Sequence, residues 1–170
     1  MEWLQDDVVS DKAVANSNAK PWKILIVDDD DSVHHVTQLA MKRFEFEQRP
    51  VELHSVYSAS EAKEKLQSSE RYALILLDVV METEHAGLDL ARFIRQDLQN
   101  GYSRIILRTG QPGVAPERSV IRDYDIDGYK AKSQLQSQDL ELIFYTSLRA
   151  YRDICMLQTH RYNLKRLIKA

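Results

Sequence analysis

Four stretches of this chain carry residues that could do chemistry together. Tyr72-Ala-Leu-Ile-Leu-Leu-Asp78 is an apolar run that ends in a single carboxylate, and Lys23-Ile-Leu-Ile-Val27 is another that delivers four consecutive acids, Asp28 to Asp31. Arg104-Ile-Ile-Leu-Arg108 precedes Thr109, and Tyr129-Lys-Ala131 precedes Lys132. A carboxylate directly after a buried strand is either a cap for the next helix or a reactive group. Three acids, Asp28, Asp29 and Asp78, gathered with Thr109 and Lys132 would repel one another and need a cation at neutral pH. All-oxygen ligands favour Mg²⁺ over softer metals. Lys132 would offset part of the charge and can bind an oxyanion.

Whether these residues meet depends on the elements that carry them. Leu74 to Leu77 are branched and uninterrupted, as in a strand covered on both faces. After the acids, Val33, Val36, Leu39, Ala40 and Phe44 recur at helical spacing from Ser32 to about Phe46, with Asp30 or Asp31 suited to the N-cap. Val51 to Tyr57 alternates as a strand, and Ser58 to Leu66 follows as a helix with Ser60 as its expected cap. Gly87 to Arg95 reads as a helix ended near Asn100-Gly101. Gly110 to Pro116 reads as a loop, with Pro116 opening a short helix to about Tyr124 before a brief fifth strand at Tyr129 to Ala131. Five strands alternating with helices imply a doubly wound α/β fold around a parallel sheet. In the common order 2-1-3-4-5, the flavodoxin-like one, all five candidate residues fall on one edge of that sheet.

With 170 residues, of which 44% are hydrophobic, the chain can bury one continuous core. A formal charge of -3 gives no electrostatic reason to expect nucleic acid or an anionic membrane as ligand. The single cysteine, Cys155, excludes an internal disulfide and multi-thiolate metal sites, and fits a reducing compartment; the expected location is the cytoplasm. Cys155 itself reads as filler of a core or helix seam. His34 and His35 are adjacent on a helix, so their side chains diverge, and both are expected at the surface.

Residues 1–21 read as a tail, 22–150 as the domain, and 151–170 as a projecting end. From about Ser137 there is no helix breaker, and a helix of that extent is roughly 50 Å long, more than a domain of this size covers. Leu140, Phe144, Leu148, Tyr151 and Cys155 form a stripe for the sheet. Ala150, Ile154, Leu157, Arg161, Leu164 and Ile168 form a second one, spaced like a coiled-coil seam, so a homodimer through this helix is expected.

The segments Ile24-Leu-Ile-Val-Asp-Asp29, Leu77-Asp-Val-Val-Met81, Leu107-Arg-Thr-Gly110 and Gly128-Tyr-Lys-Ala-Lys132 together resemble the response-regulator receiver domain of two-component signalling, over residues 22 to about 150. The resemblance implies that Asp78 accepts a phosphoryl group from a histidine kinase, a phosphotransfer protein or a small phosphodonor. It implies Mg²⁺ held by Asp28, Asp29, Asp78 and the backbone carbonyl of Val80, with Thr109 and Tyr129 as the switch. A receiver is not itself an enzyme, and its output is a change of shape on the fourth helix, fifth strand and fifth helix. Leu107-Arg-Thr-Gly-Gln-Pro-Gly113, Asp125 to Lys132 and Leu148-Arg-Ala-Tyr-Arg-Asp-Ile154 are similar to receivers ahead of HD or HD-GYP phosphohydrolase modules that handle cyclic dinucleotides. Neither a His-Asp doublet nor a Gly-Tyr-Pro follows here, so the chain reads as either a fragment of a longer protein with such a module outside it or a stand-alone version.

The family's proline after the lysine is Ser133 here. Arg108 stands where an apolar residue is usual, and its burial would demand an acidic partner, expected near the fourth helix. The competing class is a degenerate receiver that dimerises and docks without chemistry. A phosphohydrolase of similar topology wants a second acid two residues after its nucleophile, and Val80 occupies that position.

Overall fold

The computed structural model describes residues 20–110, 117–134 and 137–168. Its first half runs β1 (Trp22–Val27), α1 (Asp31–Met41), β2 (Glu45–Phe46), β3 (Arg49–Val56), α2 (Ala59–Gln67) and β4 (Leu74–Asp78). The second half runs α3 (Ala86–Arg92), β5 (Arg104–Thr109), α4 (Glu117–Tyr124), β6 (Gly128–Ala131) and α5 (Ser137–Ile168). The sheet order is β2-β3-β1-β4-β5-β6, parallel throughout except where β2 meets β3. Leaving the two-residue β2 aside, this is the doubly wound order read from the sequence. The expected tail up to residue 19 and the expected loop over residues 111–116, including Pro116, lie outside the described residues.

The alternation of strand side chains divides the core in two. Leu25, Val27, Ile75, Leu77, Ile105 and Leu107 pack under α2, α3 and α4. Ile24, Ile26, Leu74, Leu76 and Ile106 pack under α1 and α5, where Met41, Leu140, Phe144 and Leu148 close the layer. Each fully buried aliphatic side chain contributes about 1.5–3 kcal/mol. These layers fix the strand register and hence the height at which each strand presents its last residue.

Three local readings are corrected. Helix α1 stops at Met41, short of Phe46, because Phe46 is buried in an antiparallel hairpin turned by Glu47 and Gln48 at φ 52° and 58°. Its carbonyl accepts a hydrogen bond from the Trp22 indole at 3.0 Å, and Arg49 stacks over that indole at 3.7 Å. The inward face of α1 is His34, Thr37 and Met41, while Val36 and Leu39 face solvent. Helix α2 is capped by Ser58, whose hydroxyl accepts the Glu61 amide at 3.1 Å, and not by Ser60.

At the opposite edge of the sheet from the acids, a π-turn at Phe93–Asp97 aims Arg95 inward. Its guanidinium donates to the carbonyls of Asn100, Ser103 and Asp125 at 2.7, 2.9 and 2.7 Å, and lies 3.3 Å from Asp127. Asp127 in turn accepts the Ile105 amide at 2.7 Å, so one cation ties the starts of β5 and β6 to α3. Removing it takes this donor from the part-buried carbonyls of Asn100 and Ser103. Arg95→Ala is expected to cost about 2–4 kcal/mol, read as a lower urea midpoint at unchanged slope. An unchanged midpoint would mean that water replaces the guanidinium without loss.

Helix α5 covers the sheet with Leu140, Ile143, Phe144, Ser147 and Leu148, and Tyr151 and Cys155 are half-buried. Beyond them it projects, leaving Leu157, Leu164 and Ile168 exposed. No helix among the described residues is long and apolar enough to cross a membrane.

Candidate acidic cation site

The run Asp28 to Asp31 is divided by geometry into separate tasks. Asp28 follows β1 directly and is fully buried, with its amide bonded to the Val56 carbonyl at 3.2 Å. Asp29 is exposed at the pocket mouth. Asp30 is the N-cap of α1, accepting the Ser32 amide at 2.9 Å and the Ser32 hydroxyl at 2.6 Å, and these bonds hold its carboxyl below the usual range. Asp31 accepts the Tyr57 hydroxyl at 3.1 Å.

Asp78 ends β4, the most completely buried strand, and is itself 3% exposed. Lys132, at the end of β6, reaches back across the sheet edge. Its ammonium is 2.8 Å from Asp78 Oδ2 and 3.2 and 3.1 Å from the two oxygens of Asp28. Asp28, Asp29 and Asp78 each offer a carboxylate oxygen, and these lie within 4.8 Å of one another. Asp78 Oδ1 is buried and accepts no hydrogen bond. Oxygen donors at this spacing, one of them unsatisfied and one acid open to solvent, fit a hard divalent cation that keeps waters.

Burial pushes the Asp78 carboxyl above its ordinary range; the Lys132 hydrogen bond opposes this, and the charge on Asp28 adds to it. Burial also works against the Lys132 ammonium, but the hydrogen bond to Asp78 and the charges of Asp78 and Asp28 outweigh it and hold Lys132 above its usual value. The asymmetry follows from depth: the lysine tip retains access to water and the aspartate does not.

Thr109 is buried at the end of β5, one residue past Arg108. Tyr129 is buried in the core layer that holds Leu107, Val120 and Ile126. Val80 lies in the loop after β4, with its side chain exposed. Ser133 is exposed in a 3-10 turn over Lys132–Gln134, and no peptide bond among the described residues is cis. Arg108 is buried, and among the described residues its ion-pair partner is Asp28, at 4.0 Å; of the acids near the fourth helix expected to pair with it, the Glu117 side chain lies outside the described residues.

Two supporting residues escaped the sequence reading. His34 was expected at the surface but is 1% exposed, with Nε2 2.8 Å from the Asp28 carbonyl and its ring 4.5 Å from that of Tyr57. The signal was the helical spacing of His34, Thr37 and Met41, which the more apolar Val36 and Leu39 masked. Gly87, at the start of α3, donates its amide to Val79 at 3.0 Å, and a Cβ there would collide with the Asp78 carbonyl oxygen. Gly87→Ala must therefore shift α3 or the end of β4. The expected cost is about 2–4 kcal/mol, read by urea unfolding, and wild-type stability would mean that the loop yields freely.

No family model matches the chain. It is 49% identical over 157 residues to the 3'3'-cGAMP-specific phosphodiesterase 2 of Vibrio cholerae, an alignment covering 92% of this chain and 30% of that protein. The chain thus spans under a third of the curated relative it matches. Among solved structures, the signal receiver domain of an HD domain-containing protein from Pseudomonas fluorescens Pf-5 superposes with a TM-score of 0.69 at 22% identity, covering 81% of this chain and 94% of that one. The Mn(2+)-bound form of response regulator Rcp1 gives 0.59 at 22% identity, covering 72% and 88%. The chemotaxis response regulator CheY4 of Vibrio cholerae gives 0.61 at 21% identity, covering 75% and 99%.

Proposed function

With the fold of response-regulator receiver domains as its premise, and a resemblance to those that belong to HD-domain proteins, we propose that this chain accepts a phosphoryl group on Asp78. The donor is a histidine kinase, a phosphotransfer protein or a small acyl phosphate. The observation that carries this reading is the Lys132 ammonium held between Asp78 and Asp28 beside three clustered carboxylates.

In the transfer, a carboxylate oxygen of Asp78 forms a bond to phosphorus as the bond from phosphorus to the donor breaks, and the donor leaves with that electron pair. Asp28, Asp29, Asp78 and the Val80 carbonyl would hold Mg²⁺. When bound, the metal supplies charge neutralisation for the transferring oxygens. Lys132 supplies a second positive charge, already in place, and releases part of its hold on Asp78 to an incoming oxygen. Thr109 donates its hydroxyl to the new phosphoryl group, and Tyr129 repacks behind it. The change then passes to α4, β6 and α5.

The projecting part of α5, with Leu157, Leu164 and Ile168 exposed, would pair with a second copy and pass the change to an HD-type output module outside this chain. That module would act on a cyclic dinucleotide, as the name of the Vibrio cholerae relative indicates for that protein. The competing reading, a docking module without phosphoryl chemistry, draws on the buried Arg108, which already compensates part of the acid charge. Intact-mass spectrometry after incubation with a small acyl phosphate separates the two. The switch gains one phosphoryl group only with a divalent cation present, and identical spectra with and without donor would leave only docking.

A further inference from the structure

Among the described residues, Arg108 is the one buried cation near the acids that the proposed transfer does not use. Register defines where it lies. Asp78 and Arg108 are partners across β4 and β5, and Val27 pairs with Leu77, so Asp28 is level with Asp78. Two residues earlier on the same strands, Ile26, Leu76 and Ile106 share the core layer under α1 and α5. By alternation Asp28, Asp78 and Arg108 form one row on that face.

Strands β1 and β5 flank β4, so their backbones are about 10 Å apart. Even so, the guanidinium NH2 reaches within 4.0 Å of Asp28 Oδ2, and the side chain must therefore cross the row beside Asp78. It is 5% exposed, and neither Nε nor NH1 has a hydrogen-bond partner. A guanidinium does not surrender its proton, so the charge stays. Among the described residues, the acids are thus faced by two built-in cations. Lys132 contacts them from the solvent side and can swing away, whereas Arg108 is enclosed.

We infer that Arg108 sets the divalent-cation affinity of this pocket, holding it weak by placing a fixed positive charge against Asp28, one of the ligand carboxylates. The inference rests on the reading of Asp28, Asp29 and Asp78 as the cation site. A dication held by those carboxylates would share Asp28 with the guanidinium, whose NH2 is 4.0 Å from Asp28 Oδ2, and like charges brought to one carboxylate repel appreciably even when the effective dielectric approaches that of water. Arg108 also draws charge from Asp28 that would otherwise serve the metal. Both effects have the same sign. The consequence is a pocket that loads only when the cation is plentiful, so that phosphoryl acceptance depends on cation supply as well as on the donor.

Mn²⁺ alone, with no phosphodonor, is the probe, and its free concentration is read by electron paramagnetic resonance with Mg²⁺ displacement as a second readout. Arg108→Met keeps the length and removes the charge, and is expected to bind Mn²⁺ about tenfold tighter or more. Arg108→Lys keeps the charge and should stay within about threefold of wild type. Should Arg108→Met fail to fold, Arg108→Gln makes the same comparison. Asp29→Asn reports on the site itself. If it loses Mn²⁺ while Arg108→Met matches wild type, the role of Arg108 is overturned and the cation site stands. If Asp29→Asn binds as wild type does, or no form binds, the cation site fails and the inference with it.

Discussion

Asp78→Asn is expected to abolish phosphoryl gain from a small acyl phosphate while leaving the fold intact. The amide cannot attack phosphorus, and the neighbouring carboxylates are placed for other tasks: Asp28 is held by Lys132 and faced by Arg108, Asp29 would serve the metal, Asp30 caps α1, and Asp31 is engaged by Tyr57. The same variant should be more stable than wild type at neutral pH. Burial raises the Asp78 carboxyl in the folded protein, so between the ordinary carboxylate value and the raised one the folded state binds a proton that the unfolded state gives up. Stability therefore falls as pH rises through that window, and an uncharged Asn escapes the loss. Melting at pH 7 should show a gain of about 2–4 °C that closes as the pH drops toward 4. A mass gain persisting in Asp78→Asn would remove Asp78 from the chemistry. A variant less stable than wild type at pH 7 would mean that Lys132 does more for Asp78 than burial does against it.

Lys132→Met carries the second large effect. Loss of the ammonium removes the donor nearest the transferring oxygens, and a single such donor accounts for about 10²–10³ in rate. Single-turnover rates at saturating donor and cation are the measurement, and a fall of less than about threefold would count against direct contact with the phosphoryl group. Stability gives an independent reading. Without Lys132, the Asp28 and Asp78 charges face each other with Arg108, beside Asp28, as the remaining cation among the described residues, so the deficit is greatest near neutrality and shrinks on acidification as Asp78 takes up a proton. On the alkaline side, the contribution of Lys132 is fully present below the ordinary lysine value. It is lost only as pH rises through the higher folded-state one, so the two proteins converge above about pH 10.5.

The particular residues explain how much could be read in advance. Asp28 and Asp78 follow apolar runs that read as buried strands, Thr109 and Lys132 follow shorter strands that carry Arg108 and Lys130, and parallel strands joined by right-handed crossovers present their carboxyl ends on one edge. Their grouping was therefore legible before any coordinates. Phe46 was misassigned because the stretch from Ser32 keeps a helical rhythm past the point where burial against Trp22 ends α1. His34 was misjudged because the face a helix turns inward depends on what it meets. Here it meets the Asp28 carbonyl and Tyr57, while the more hydrophobic Val36 and Leu39 are left outside.

Arg108 marks the boundary most sharply. Its position beside Thr109 and the need of a buried guanidinium for an acid were both plain from the chain. Which acid it would find was not. By itself the sequence determined the strand-helix alternation, the edge on which the acids gather and the cation that Lys132 brings, because these follow from hydrophobic period and chain connectivity. Tertiary structure alone decided that Arg108 crosses β4 toward Asp28, that His34 turns inward and that Gly87 must lie against Asp78. Those depend on strand register and close packing, which local periodicity does not encode.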